Sequence, residues 1–445
     1  MIRVLVARLR SDSFFAHFSG TVMFGVLGGG LTILTHMLLA TYLGAAGYGA
    51  YAVALSILNI LVLFVRMGLD VATVRYVAVY SELKEWNLLA GYLRAARLFI
   101  ACTAALALGL SSIGLLLFGS RLDPALRWGL LTILPALPLL ALGQINDAAL
   151  RGLGQVLTGQ ISQVIGQPLL LLLLLVLCWI SGIDPVLRLL LAGICLIASF
   201  AGALLLSSVL LLRHRRPGIR AALPRAHIRE WLFSTPAMMI VSSFSQYQNQ
   251  LIVIFLGFFL NVEAAGIFAL AMRIANVIQI VLYGANLPAM PRLSRAFARD
   301  DREEMNWIAG LAATACFFVV LPITGGFLLL GSFLLVFLGP TYAAAYGPLA
   351  ILCLGLQLQS AFSPAAVVMG VSGNQSAVGL TFILTICLCL GSLFVLRHSL
   401  TLTNVAACAA MMGAGAFAVL SALAYARLGI RCWVQPSLFL RRGRL

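Results

Sequence analysis

Long apolar runs recur along the whole chain, and arginines gather in the short segments between them. The runs are continuous rather than alternating, which is typical of membrane-spanning helices and not of the strands of a transmembrane barrel. A helix needs about 20 residues to cross a hydrocarbon core of about 30 Å. The pattern therefore predicts an all-α polytopic membrane protein. We predict twelve helices, over 15–41, 47–68, 91–118, 127–150, 157–181, 186–212, 232–260, 264–288, 305–338, 344–370, 374–396 and 403–428.

The basic residues predict how these helices are oriented. With the N-terminus placed in the cytoplasm, 24 of the 29 Lys and Arg residues fall in cytoplasmic segments. Only Arg273 then falls deep inside a helix, and the remaining arginines lie on the outer side. An excess of positive charge on the cytoplasmic side is the general rule for such proteins. We therefore expect both termini to be cytoplasmic.

The overall composition excludes several other classes of protein. Hydrophobic residues make up 62% of the chain and charged residues 9%, too few to cover the surface of a soluble protein. The net charge is +16, but the basic residues are scattered at the ends of apolar runs, so we expect no nucleic-acid partner. The nine cysteines form no CxxC pair, and neither a metal site nor a cofactor is expected.

An internal repeat relates the two halves of the chain. The segment Gly49–Ile60 matches Gly266–Val277 at an offset of 217 residues. The matched pairs include Gly49 with Gly266, Asn59 with Asn276 and Arg75 with Arg292. Because each repeat holds an even number of helices, the halves should share one orientation, with a cavity between them. We predict six-helix bundles over 1–212 and 232–445, joined by a basic cytoplasmic connector over 213–231.

The segment Tyr42–Ala78 resembles the second-helix signature of bacterial polysaccharide flippases, and Ala149–Gln155 resembles the turn after their fourth helix. These are the Wzx-type transporters of O-antigen, capsule and exopolysaccharide, in the multidrug/oligosaccharidyl-lipid/polysaccharide (MOP) superfamily. The resembling elements are Leu43-Gly44, Tyr48-Gly49, and Gly68-Leu69-Asp70 leading to Arg75. The resemblance implies two six-helix bundles, arranged as in MATE transporters around a central cavity, in the bacterial inner membrane.

The same resemblance implies a function. The cargo would be a polyprenyl-pyrophosphate-linked oligosaccharide, moved by alternating access from the cytoplasmic to the periplasmic leaflet for assembly of O-antigen, capsule or exopolysaccharide. The resemblance does not decide whether H⁺ or Na⁺ serves as a coupling ion, or whether the protein contacts polysaccharide polymerase machinery. The alternative is a cation-coupled multidrug exporter of the same superfamily, which would need deep carboxylates that are nearly absent here. A sugar-chain ligase or polymerase would need a large outer loop, and the predicted outer loops are short, so we expect no enzyme.

Arg273 is the most informative candidate residue. It lies near the middle of the predicted helix 264–288, which holds no acidic residue to pair with it. Arginine at that depth costs about 2.5–3.5 kcal/mol even on the lenient insertion scale unless it faces water or a partner. Its planar, permanently charged guanidinium binds phosphate in a bidentate manner. We expect it to receive a pyrophosphate or an acidic sugar, the alternative being a structural arginine held by backbone carbonyls.

Three further positions in the two repeats are candidate substrate ligands. Asn276 shares a helix face with Arg273, and the repeat places Asn59 at the matching position of the second helix. Both asparagines would line the cavity or, alternatively, bond neighbouring helices. Arg66 lies near the cytoplasmic interface, where it would capture substrate or only pair with Asp70 four residues on.

The seventh predicted helix carries an unusual polar run, Ser242–Gln250. Its amides Gln246, Asn249 and Gln250 fall on one face, and amides of this kind recognise sugar hydroxyls. We expect them to line the cavity, the alternative being a polar contact between helices. Asp147 is the one acidic residue clearly within a predicted span, and its spacing predicts a local pair with Arg151.

Overall fold

The computed structural model describes residues 13–182, 184, 187–214, 231, 247–286, 289–397 and 399–435, and every regular element among them is helical. The chain forms two compact units, Met1–Ile240 and Val241–Leu445. The described residues contain ten helices long and apolar enough to cross a membrane. The predicted helix 232–260 is described only over Tyr247–Phe259, and the count of twelve stays a prediction.

The first unit begins with a very long helix, α1, over Ser13–Arg66. Its 54 residues would measure about 80 Å if straight, more than twice the hydrocarbon core of a membrane. A kink at Gly44, with φ 70° and ψ 175°, divides it. The positive φ is open to glycine and strained for other residues. This element contains the predicted helix 15–41 and all but the last two residues of the predicted helix 47–68, joined by a bend rather than by a loop.

The rest of the first unit consists of shorter helices. Their bounds are α2 Leu69–Glu82, α3 Trp86–Phe118, α4 Pro124–Ile133, α5 Leu137–Gly152, α6 Thr158–Ile161, α7 Gln167–Ile180 and α8 Arg188–Arg213. A 3₁₀ turn over Leu134–Ala136 joins α4 to α5, and a π turn over Ser162–Gly166 joins α6 to α7. The predicted spans 127–150 and 157–181 are therefore each interrupted.

Small residues let these helices approach closely. A Cβ on Gly152 of α5 would lie 2.8 Å from Val77 of α2, and one on Gly193 of α8 would lie 2.5 Å from Thr132 of α4. Such contacts are typical of helix packing in membranes. The hydrophobic effect does not drive helices together in lipid, so close packing at small residues holds them instead. Trp231 also belongs to this unit, since its buried indole donates a hydrogen bond to the Tyr80 hydroxyl at 3.0 Å.

The second unit repeats the same order of helices. Their bounds are α9 Tyr247–Phe259, α10 Val262–Asn286, α11 Ala289–Ala298, α12 Arg302–Leu338, α13 Tyr346–Ser360, α14 Ala365–Val371, α15 Gln375–Val395 and α16 Leu402–Leu428. The prediction of a single helix over 344–370 was wrong, because the observed helix ends at Ser360 and a separate helix begins at Ala365. Pro364 explains the break, since proline lacks the backbone N–H of a helix interior.

The observed bounds support the repeat found in the sequence. Shifting α2 by 217 residues gives 286–299, against Ala289–Ala298 for α11. The same shift takes α3 to 303–335, against Arg302–Leu338 for α12. It takes α8 to 405–430, against Leu402–Leu428 for α16. The two units are therefore copies of one helical plan.

The outward-facing side chains are those of a membrane protein. On α12, Leu329, Phe333 and Phe337 are 81%, 76% and 82% exposed, and other long helices show similar rows. A soluble protein would not leave such contiguous apolar surface in water. The helices satisfy their own backbone groups, as a hydrocarbon environment requires.

Candidate substrate-binding site

A cavity of about 310 Å³ lies within the second unit, among α9, α10, α13, α15 and α16. Five side-chain amides line it: Gln248, Asn249, Asn276, Gln279 and Gln359. None of its lining residues is charged. None of the five amides makes a side-chain hydrogen bond with a residue that the structure describes. An amide in an apolar bundle has a strong need for a partner, so these groups are available to a polar ligand or to water.

The rest of the cavity wall is aromatic and aliphatic. Phe382 of α15 and Phe417 of α16 meet edge to face with ring centroids 5.8 Å apart. Both rings line the cavity, together with aliphatic groups such as Met272 and Leu356. A ligand with polar edges and apolar faces would match this combination of amides and rings.

Helix α10 positions the amides from one side. Met272, Ala275, Asn276 and Gln279 follow the helical spacing and line the cavity together. Arg273 lies at the flank of this face and is not part of the cavity lining. The structure thus brings Asn276 into the site and places Arg273 beside it on the same helix.

Arg273 is the twelfth of the 25 residues of α10 and so lies at mid-helix. Its neighbours Met272 and Ile274 are buried, whereas Arg273 is half-buried, as are Asn276 and Ile280 along the same stripe. It makes no ion pair or hydrogen bond with any residue in the described part of the chain. A deep arginine in that state needs water or an anion to balance its charge.

Helix α9 supplies a further part of the cavity wall. Gln248 and Asn249 line the cavity, whereas Gln250 does not. The Oε1 atom of Gln250 is buried without a hydrogen-bond partner among the described residues. Gln246 lies outside the described residues. The polar run therefore contributes one of the predicted ligands, Asn249, and one that was not predicted, Gln248.

The predicted residues of the first unit lie in different surroundings. Asn59 is half-buried, and its Nδ2 donates to the carbonyl of Leu55 at 2.9 Å. Arg66 forms the expected ion pair with Asp70, at 3.0 Å between Nη1 and Oδ2. The Asp70 carboxylate balances much of the positive charge of Arg66. A role of Arg66 in capturing substrate stays a prediction.

The predicted pairing of Asp147 with Arg151 is confirmed only as an electrostatic interaction, because the hydrogen-bond donor to Asp147 comes from another turn. Asp147 is buried and its Oδ1 accepts a hydrogen bond from the Ser162 hydroxyl. Ser162 belongs to the π turn after α6, which brings this hydroxyl against α5. Next to it, an Arg97 Nη2 donates to Asn146 at 3.0 Å, and the Asn146 amide donates to Ser208 at 3.0 Å. Arg97, Asn146 and Ser208 thus form a hydrogen-bonded polar cluster within the first unit, and Asn146 lies on the helix that also carries Asp147.

The sequence interpretation missed Gln279, Gln359 and the two phenylalanines of the cavity. Gln279 carried a usable signal, since it lies three residues after Asn276 on the same helix face. Gln359 carried none, because it and Gln357 look alike in an apolar run. Only the packing shows that Gln357 is bonded to Thr324 and to the Phe317 carbonyl while Gln359 faces the cavity.

The fold is similar to that of solved transporters of the MOP superfamily. An inward-facing multidrug resistance MATE transporter of the MOP superfamily matches with a TM-score of 0.78 at 15% identity, over 93% of this chain and 96% of that one. The lipid II flippase MurJ in an inward closed conformation matches with a TM-score of 0.69 at 17% identity, over 91% and 86%. A MOP transporter from Pyrococcus furiosus matches with a TM-score of 0.66 at 15% identity, over 97% and 98%.

The family follows from the sequence itself. The family model described as "polysaccharide biosynthesis protein" matches residues 16–297, more than half of the chain, and the chain belongs to that family. None of the curated proteins compared with the chain matches it significantly. Family and fold confirm the resemblance to the MOP superfamily and define a multi-pass membrane transporter or flippase.

Proposed function

We propose that this protein moves a polyprenyl-pyrophosphate-linked oligosaccharide from the cytoplasmic to the periplasmic leaflet of a bacterial inner membrane. The observation that carries the proposal is the pairing, on one helix, of a mid-depth arginine with an amide-lined cavity. The cargo has the same two parts, an anionic pyrophosphate and a hydroxyl-rich saccharide. Membership of the polysaccharide biosynthesis family supports this cargo class.

Arg273 would serve the pyrophosphate. That group carries at least two negative charges, and moving it bare through a low-dielectric core would be prohibitive. A fixed guanidinium at mid-helix lowers the barrier where it is highest, because it offers paired donors without needing to be protonated during the cycle. A single deep charge lowers the barrier without trapping the cargo.

The cavity would serve the sugars. Its amides both donate and accept hydrogen bonds, as hydroxyl groups do, and its phenylalanine rings can stack against the apolar face of a pyranose. Its uncharged lining suits neutral sugars. Alternating access, with the two repeated units rocking and both termini in the cytoplasm, would deliver the cargo to the other leaflet.

One observation favours the alternative of a cation-coupled drug exporter, namely the buried carboxylate of Asp147 in the first unit. Drug exporters of this type use such groups to bind a coupling ion. The cavity of the second unit, however, offers an organic cation no carboxylate. Drug-resistance assays on the intact protein separate the two functions, because a flippase should not lower the intracellular level of cationic dyes.

The decisive experiment complements a strain that lacks its own flippase with variants at matched protein levels. Arg273→Ala and Arg273→Glu should abolish surface polysaccharide, whereas Arg273→Lys should keep partial export because it retains the charge. Arg121→Ala, which removes an exposed arginine at the end of another span, is the matched control and should export normally. Normal polymer from Arg273→Glu would refute the role of this charge.

A further inference from the structure

A second cavity, of about 500 Å³, lies in the second unit where α11 meets the start of α12. Arginines dominate its lining: Arg292, Arg295 and Arg299 of α11 and the turn after it face Glu304 and Trp307 of α12. It shares no lining residue with the amide-lined cavity. We refer to it as the arginine pocket.

The pocket is built on a firmly anchored helix. Ala289, Leu293 and Ala296 of α11 are buried and pack against Met305 and Ile308 of α12. The arginines follow at intervals of three and four residues on the other side of the helix, which points them away from the core. Their backbone is therefore held in place while their side chains stay accessible.

Two of the three guanidinium groups lack a carboxylate partner in the described part of the chain. Arg299 is paired with Glu304, which is the one acidic residue of the lining. Arg295 donates only its Nε, to the Pro291 carbonyl at 3.3 Å, and Arg292 makes no hydrogen bond or ion pair with a described residue. The pocket thus carries about two uncompensated positive charges and suits an anion with one or two negative charges.

The repeat shows that the fold does not demand this arrangement. At the equivalent positions of the first unit, 217 residues earlier, Arg292 corresponds to Arg75, but Arg295 corresponds to Ala78. Arg299 corresponds to Glu82, and Trp307 to Ala90. A copy of the same two helices is therefore built without three of these four residues, so the fold alone does not require them.

The surroundings of the pocket point to lipid. Trp307, which lines the pocket, is 43% exposed, and Met290 and Phe297 are 53% and 41% exposed on the flank of α11 opposite the arginines. The segment also lies between two spans, one ending at Leu282 and the next beginning at Arg302. Exposed apolar and aromatic groups beside arginines at a span end are the composition of a helix at the membrane surface.

We propose that the arginine pocket binds the phosphate of an anionic phospholipid in the leaflet that it faces. Arg292 and Arg295 hold the phosphate oxygens, and Trp307, which lines the pocket, contacts the glycerol and upper acyl chains. Two arginines near an anionic headgroup provide enough electrostatic attraction to select it over a zwitterionic one. This site is independent of the cargo proposed above.

The test measures lipid retention by the full-length protein in detergent, using native mass spectrometry with phosphatidylglycerol and phosphatidylcholine. The unaltered protein should retain phosphatidylglycerol about tenfold more strongly. Arg292→Gln combined with Arg295→Gln should lose that preference. Arg302→Gln is the matched control, because it removes an arginine of the same segment that lies outside the pocket lining and near Asp300, and it should keep the preference.

Three outcomes would overturn the proposal. They are equal retention of the two lipids by the unaltered protein, an unchanged preference in the double variant, and an equal loss in the Arg302→Gln control. Binding of inorganic pyrophosphate that disappears in the double variant, without any preference among phospholipids, would assign the pocket to a free phosphate group instead. If the double variant does not fold, Arg292→Lys with Arg295→Lys gives a second test and should retain part of the preference.

Discussion

The two units repeat one order of helices but carry different polar side chains at equivalent positions. In the first unit several of these groups bond to each other, as Arg97 does to Asn146 and Ser162 does to Asp147, although Gln144 Oε1 and Gln163 Nε2 are buried without a hydrogen-bond partner among the described residues. In the second unit the amides around the cavity make no side-chain hydrogen bond with described residues. Polar side chains that hydrogen-bond to one another stabilise the helix bundle. Polar side chains that face a cavity without such bonds are available to hydrogen-bond to a ligand.

The equivalent positions sharpen this comparison. At an offset of 217 residues, the amides Gln248, Asn249, Gln279 and Gln359 correspond to Leu31, Thr32, Val62 and Leu142. The first unit thus fills with aliphatic or smaller side chains the positions where the second unit carries amides. Only Asn276 has an amide counterpart, Asn59, and that amide bonds to its own helix.

The largest expected effect comes from giving the second unit the residues of the first. Gln279→Val combined with Gln359→Leu should reduce export by about 30-fold or more, because each lost hydrogen bond to a ligand is worth about 1 kcal/mol or more. Stability should not fall, since neither amide has a partner to lose among the described residues. The measurements are surface polysaccharide at matched protein level and thermal unfolding of the purified protein.

The matched control for this double variant is Gln357→Leu, two residues away on α13. Gln357 donates to the Phe317 carbonyl at 3.1 Å and accepts from Thr324 at 3.2 Å. Its loss should lower stability while the export per folded molecule stays normal. If Gln357→Leu and the double variant behave alike, the cavity amides are structural and the contrast between the units fails.

The next effect concerns the polar cluster of the first unit. Asn146→Leu removes an acceptor of Arg97 and a donor to Ser208, and should lower the free energy of unfolding by about 3 kcal/mol. The yield of monodisperse protein in detergent should fall accordingly. The control Asn87→Leu, at an exposed position of α3, should be nearly neutral. Full stability of Asn146→Leu would mean that the cluster does not hold the unit.

A smaller effect is expected when the first unit receives a residue of the second. Val62 is only 1% exposed, so Val62→Gln buries an amide without a cavity to face. We expect a loss of stability of about 2 kcal/mol. Thermal unfolding compared with Val62→Leu, which adds volume without polarity, isolates the cost of the amide. An unchanged melting temperature for Val62→Gln would show that water reaches this position, which would contradict its low exposure in the structure.

The smallest effect concerns the point where the first two spans meet. Gly44 has a φ of 70°, so Gly44→Ala should cost about 1–2 kcal/mol in melting experiments. Gly30→Ala, in the same helix at a position with open space around it, should be neutral or slightly stabilising. Equal behaviour of the two variants would contradict a strained bend. The second unit has Asn261 at the equivalent place, where its Oδ1 accepts from the Ala264 backbone N–H.

Much of the fold could be predicted from the sequence, because long apolar runs and their arginine borders are set by the bilayer itself. Breaks in the helices within these apolar runs were harder to predict. The kink at Gly44 and the π turn at Ser162–Gly166 depend on packing between helices, and hydropathy does not record them.

The site was only partly predictable for a related reason. Asn276 and Asn249 stood out as polar groups in apolar helices, and both line the cavity. Their partners Gln279, Gln359 and Phe382 come from faces that are set by tertiary contacts. The hydrogen-bond donor of Asp147 was missed because helical spacing reveals only neighbours on the same helix, whereas Ser162 lies beyond that helix in a different turn.

The repeated helix bounds have a consequence for how such a chain can change over evolutionary time. A spacing of 217 residues between equivalent helices is what duplication of an ancestral gene leaves behind. After duplication, one copy can keep the interactions that make the bundle fold while the other accumulates new polar residues. In this chain the second copy holds both the amide-lined cavity and the arginine pocket. A lineage could therefore adopt a new cargo by exchanging a few codons in the second copy, with the first copy unaltered.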